Sequence, residues 1–194
     1  EEYFAGFSGV LRKTSAVACL VSTAFLSAGY QAVLLYSSSF YRQAFNVSIG
    51  LVSVFFFVGA FCFTVGGLVS NKVVNRLERR KTSVVIGALA GLMVGSYMSL
   101  PNLWISLAGR FVGGFLTGLT ATAVFSLTLE QVPEYRGTMM SIASAASSMG
   151  SALGAAVGGI CLSTWNYQLL GIVLGAIMTA SAPVLHLLSE DPAK

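Results

Sequence analysis

Charge is what this chain of 194 residues lacks most: Asp, Glu, Lys and Arg together make up 9% of it, against roughly 25% in ordinary water-soluble domains. A body of 20.3 kDa folded in water could not cover its surface with so little charge. Acid is scarcer still. The seven carboxylates are Glu1, Glu2, Glu78, Glu130, Glu134, Glu190 and Asp191, and none falls inside a long apolar stretch. There is one histidine, His186. The three cysteines, Cys19, Cys62 and Cys161, lie far apart without metal-ligand or redox spacing, and read as small hydrophobes inside helices. No phosphate-cradling loop, no Ser/His/Asp or Cys/His constellation and no metal-ligand cluster is spelled out, so neither an enzyme nor a cofactor nor a metal is expected. The net charge of +4 is no sign of nucleic-acid binding, because the basic residues lie between apolar segments.

What the chain has is apolar length. Hydrophobic residues make up 55%, and the mean hydropathy is +0.79. A bilayer-spanning helix needs about 20 mostly apolar residues. Six stretches qualify: 14–36, 48–70, 82–100, 103–129, 138–163 and 167–188. Barrel strands would alternate apolar and polar residues, and the run from Val84 to Leu92 does not. The expected fold is an all-α membrane protein of six transmembrane helices. Ser37-Ser38-Ser39 is expected to open a polar loop running through Arg42 to Asn46, and Pro101-Asn102 and Trp165-Asn166 to make tight turns. Residues 1–13 read as an interfacial lead-in, 14–188 as the transmembrane domain and 189–194 as a tail.

Orientation follows from the excess of Lys and Arg on cytoplasmic loops. With six spans, Arg12, Lys13, Lys72, Arg76, Arg79, Arg80, Lys81, Arg136 and Lys194 share one side, and Arg42 alone marks the other. The expectation is a multi-pass protein of the cell membrane with both termini cytoplasmic.

Glycine is abundant, at 21 residues. In lipid, small residues four apart make helix faces on which backbones approach closely. Gly87, Gly91 and Gly95 form such a row in the third span, Gly114 and Gly118 in the fourth, Gly150, Gly154 and Gly158 in the fifth, and Gly171 and Gly175 in the sixth. Such faces serve static packing and can also slide or rock, and their recurrence in four spans favours a compact bundle that moves.

Four segments resemble the major facilitator superfamily of secondary transporters. Asn75-Arg76-Leu77-Glu78-Arg79-Arg80-Lys81 is similar to the family's Asp-Arg-x-Gly-Arg-Arg loop, and Arg110-Phe111-Val112-Gly113-Gly114 to its Arg-x-x-x-Gly pattern. Gly150 to Gly159 follows the Gly-x-x-x-Gly-Pro-x-x-Gly-Gly pattern, with Ala155 in place of Pro, and Pro133-Glu134-Tyr135-Arg136-Gly137 resembles the Pro-x-x-Arg-Gly turn. Asn75 and Glu78 depart from the loop signature, as is typical of the second half of such transporters. The resemblance implies a twelve-helix carrier of two six-helix halves, with a small-molecule solute passing between them by alternating access. This chain resembles the C-terminal half, with residues 1–13 as the end of an inter-half linker. Its partners would be the lipid bilayer and a second six-helix half or a homodimer copy. A reading from another class, a membrane scaffold or oligomerising helical protein without transport activity, fits the same composition.

Arg110 is the one charge within a span, about seven residues from its outer end. Intramembrane charge is costly and points to function by default. Arg110 is read as a binder of an anionic solute group or a gate, as a tether to backbone carbonyls, or as a side chain snorkelling to the interface. Helical spacing puts Thr117 near the same side. Tyr30 and Gln31 lie in the part of the first span that faces the cavity in the resembled family. These four are the candidate solute-binding residues. Arg76, Arg79 and Arg80, together with Glu130 and Arg136 at the next loop on that side, are the candidate gating residues.

Overall fold

The computed structural model describes residues 2–76 and 79–188, apart from the side chains of residues 2–6, 71, 74–76 and 79–82. Long, mostly apolar runs wind into eight α-helices among the described residues: α1 (Glu2–Arg12), α2 (Thr14–Phe45), α3 (Ile49–Arg76), α4 (Arg79–Ser96), α5 (Leu103–Gln131), α6 (Arg136–Thr164), α7 (Tyr167–Thr179) and α8 (Ser181–Leu188). Five segments are long and apolar enough to cross a membrane, and Ser83–Ser99, which finishes in a 3₁₀ turn over Tyr97–Ser99, is a shorter apolar helix. Together they make a multi-pass, all-α membrane protein.

The short turns at one end are set by asparagine. Asn102 Oδ1 accepts from the backbone N–H groups of Trp104 (2.9 Å) and Ile105 (3.3 Å), and Asn166 Oδ1 accepts from Leu169 (3.0 Å). Each replaces a partner that the first turn of a helix lacks.

Two expectations about helix ends need correction. The polar loop expected from Ser37 to Asn46 is helix up to Phe45. Ser37 Oγ donates back to Val33 O (2.6 Å), so its polarity is absorbed within the helix, and Phe40 and Tyr41 behind it are buried. The helix stops at Asn46, which adopts the left-handed conformation (φ 52°) and donates its N–H to Tyr41 O. Arg42 is therefore in the last turn of α2 and exposed. The sixth span, expected as one helix over 167–188, is two helices meeting at Ala180. Pro183 explains the break, because it has no N–H to offer the Thr179 carbonyl and its ring crowds that oxygen.

Four helix pairs carry the bundle, α2 with α6, α3 with α5, α4 with α5 and α4 with α7, and glycine lies in each contact. A Cβ on Gly150 or Gly154 of α6 would overlap the backbone of Ala24 or Ala28 on α2, and one on Gly158 would strike the Tyr36 ring. Gly118 of α5 abuts the backbone of Phe63 on α3. On α4, Gly91 and Gly95 face Gly175 and Thr179 of α7, while Gly87 faces Thr120 of α5. The main core lies where α2, α4, α5 and α7 meet, around Val33, Tyr97, Leu127, Leu170 and Met178. At the end bearing the termini, Val10 of α1 is buried with Leu20 and Met139, and Lys13 and Ser15 reach Gln131 at the end of α5.

Candidate functional site

The α2–α3–α5–α6 side of the bundle is hollow. Two adjoining cavities lie there, of about 290 and 420 Å³. Tyr30, Gln31 and Phe63 line both and mark the boundary between them. The smaller, toward the Pro101 end, is bounded by Phe56, Gly59, Tyr97 and Arg110. The larger, toward the termini, is bounded by the hydroxyls of Thr23, Ser27, Thr117 and Ser147, with Ser144 and Ser148 on its α6 wall.

Arg110 is 5% exposed. Its guanidinium carbon sits 4.1 Å from the centroid of the Phe56 ring and 5.7 Å from that of Tyr41. Nε and Nη1 are buried with no hydrogen-bond partner among the described residues. The side chain thus neither snorkels to a wet surface nor spends those two nitrogens on carbonyls. It is held in place largely by ring faces, in a wall of the smaller cavity.

Behind Arg110 lies a hydrogen-bonded layer that locks together α2, α5 and the 3₁₀ turn after α4. Ser37 and Tyr97 share a hydrogen bond of 2.6 Å, and Ser106 Oγ donates to Tyr97 O at 2.9 Å. Tyr41, Phe40, Phe45 and Tyr97 stack or meet edge to face at centroid separations of 5.2–6.4 Å. Tyr41 is fully buried in this layer, although it lies near the end of its helix, where an aromatic ring would ordinarily sit at the membrane interface.

The structure brings three of the four candidate solute-binding residues to the cavity boundary or the wall next to it. Tyr30 stacks on Phe63 (5.4 Å, 17°), Gln31 is exposed to both cavities, and Arg110 lines the smaller one. Thr117 lines the larger, with its hydroxyl donating to Gly113 O at 2.7 Å. Gly114 lies beside Tyr30, within 3.6 Å of its hydroxyl measured from an added Cβ. The gating candidates Arg76, Arg79 and Arg80 close α3 and open α4, and their side chains lie outside the described residues. Glu130 is half-buried at the end of α5 and Arg136 exposed at the start of α6. Sequence reasoning missed Phe56, Phe63 and Ser147. The first two carry a readable signal, since Phe56, Gly59, Ala60 and Phe63 repeat at helical spacing.

Apolar helices thus surround a hollow face walled in part by Arg110, whose Nε and Nη1 have no partner among the described residues. The Major Facilitator Superfamily profile matches residues 19–194, and the chain belongs to that family. It is 23% identical over 133 residues to the uncharacterized MFS-type transporter YwfA of Bacillus subtilis (strain 168), covering 68% of this chain and 31% of that protein. The fold is similar to the crystal structure of a bacterial homologue of the human lysosomal transporter Spinster, in an inward-facing and unoccupied conformation. That match has a TM-score of 0.60 and 16% identity over 96% of this chain and 48% of the other. The chain therefore spans about half the length of the solved relative and less of YwfA.

Proposed function

We propose that this chain forms one six-helix half of an alternating-access carrier in the cell membrane, with both termini cytoplasmic. Its α2, α3, α5 and α6 would face a solute pathway closed by a second six-helix bundle, either another segment or a second copy. The observation that carries this reading is the pair of adjoining cavities on that face, joined at Tyr30, Gln31 and Phe63. Arg110, Tyr30, Gln31 and Thr117 then contact the solute. Arg76, Arg79 and Arg80 act in gating by docking on helix C-termini, where the dipole favours cations, with Glu130 and Arg136 on the same surface. The glycine rows let the paired helices shift as the halves rock.

A solute-independent experiment tests the pathway. Cysteine is placed at Gln31, on the hollow face, or at Leu92, an exposed apolar position on α4, with Cys19, Cys62 and Cys161 replaced by Ala. A charged, water-soluble thiol reagent should modify position 31 and leave position 92 untouched. Equal reactivity at both, or none at 31, rejects the hollow face as a pathway.

A further inference from the structure

The geometry points to a polyhydroxylated organic anion as the solute, with its carboxylate or phosphate held by Arg110. This inference rests on the hollow face being the solute pathway.

The first ground is charge. None of the seven acids lies within an apolar span, and the nearest along α5, Glu130, is 20 residues from Arg110, about 30 Å along a helix. A guanidinium stays protonated in any protein environment, so burial cannot neutralise it. Phe56 and Tyr41 offset part of the desolvation through their ring faces, but ring faces leave Nε and Nη1 without an acceptor. Nε and Nη1 are both buried without a partner, and each shares one bidentate edge of the guanidinium with Nη2. A planar oxyanion seated on either edge satisfies one of these two donors together with Nη2.

The second ground is the hydrogen-bond polarity of the larger cavity. Thr23 Oγ1 already donates to Cys19 O (2.8 Å) and Thr117 Oγ1 to Gly113 O (2.7 Å). What these hydroxyls still offer is lone pairs, which call for donors on the solute. A body bearing several O–H groups meets that demand, whereas an alkyl chain does not.

The third ground is reach. Arg110 and Thr117 are seven residues apart on α5, two turns along one face, or about 10 Å. An acidic sugar of two rings spans that distance, and the cavities of about 290 and 420 Å³ on either side of Tyr30 and Gln31 have room for it.

The test uses matched pairs, measured by calorimetric titration of the full-length protein in lipid nanodiscs, where no sugar-headed detergent competes. Lactobionate is compared with lactitol, which carries an alcohol in place of its carboxylate, and trehalose 6-phosphate with trehalose. Octanoate supplies a carboxylate without hydroxyls. At least one acidic sugar should bind 30-fold or more tightly than its neutral partner, and more tightly than octanoate. Arg110→Lys should cost that acid at least tenfold and leave the neutral sugar unchanged, and Thr117→Val should weaken the acid but not octanoate. The inference is overturned by neutral sugars binding as well as acidic ones, by an affinity indifferent to Arg110→Lys in folded protein, or by no binding of either acid. Should the Lys variant not fold, the wild-type matched pairs decide alone. Reactivity at position 31 separates the two readings. A reactive position 31 without acid preference removes only the anion, and an unreactive one removes the pathway.

Discussion

The guanidinium carbon of Arg110 lies 4.1 Å from the centroid of the Phe56 ring. α5 supplies the charge and α3 the ring, so the pair couples two helices that already touch through Gly118 and the Phe63 backbone. A desolvated cation over a ring is worth about 0.5–2 kcal/mol. We expect Phe56→Leu to destabilise the protein by more than the loss of ring area when Arg110 is present. In an Arg110→Met background the excess should vanish. A double-mutant cycle from unfolding titrations in mixed micelles measures the coupling, expected at about 0.5–2 kcal/mol. A value near zero would mean that the ring only fills space.

The α2–α6 contact makes a second, sharper prediction. At Gly154 an added methyl would overlap the Ala28 backbone, which no side-chain rotation relieves, whereas at Gly50 nothing lies within 4 Å. Gly154→Ala should therefore cost about 1–3 kcal/mol, the usual penalty of forcing atoms into a packed site, while Gly50→Ala should be neutral. The fraction of protein remaining monodisperse after a heat step reports both. Equal behaviour of the two variants would contradict the close approach of α2 and α6.

How legible this was in the sequence varies with the range of the physics involved. Crossing a bilayer is a local property of about 20 residues, so the five long spans and the shorter apolar helix Ser83–Ser99 could be read from hydropathy. The glycine rows marked packing faces for the same reason, but nothing local told Gly150 that its neighbour is Ala24, or Gly175 that it faces Gly95. Ser37 misled because its polarity was weighed without Val33 O and the Tyr97 hydroxyl, its two partners. Pro183 was legible and went unread. At the site, Arg110 stood out as the lone intramembrane charge, whereas Phe56 and Ser147 became site residues only once α3 and α6 were placed around α2.

Orientation is checked by single-cysteine labelling of intact cells with an impermeant reagent. Arg42 is exposed in the last turn of α2, at the end opposite the termini. Nine of the ten Lys and Arg residues outside the spans lie toward the termini, so that end should face the cytoplasm. Position 42 should be modified from outside and position 79 should not. The reverse pattern inverts the protein in the membrane.

The last prediction turns on an asymmetry within one hydrogen bond. Ser37 Oγ donates to Val33 O, so in its 2.6 Å contact with the Tyr97 hydroxyl it accepts, and Tyr97 is the donor. Both residues are buried. Tyr97→Phe removes the donor and leaves Ser37 still bonded to Val33, so the cost should be small, about 0.5–1 kcal/mol. Ser37→Ala removes the acceptor and strands a phenolic O–H in the core, which costs about 1–3 kcal/mol. Removing both groups leaves nothing stranded, so the double variant should be more stable than Ser37→Ala alone despite carrying one more substitution. Unfolding titrations of the three variants rank them. If Ser37→Ala proves the milder single change, Tyr97 does not donate to Ser37, and the layer behind Arg110 is held by ring packing alone.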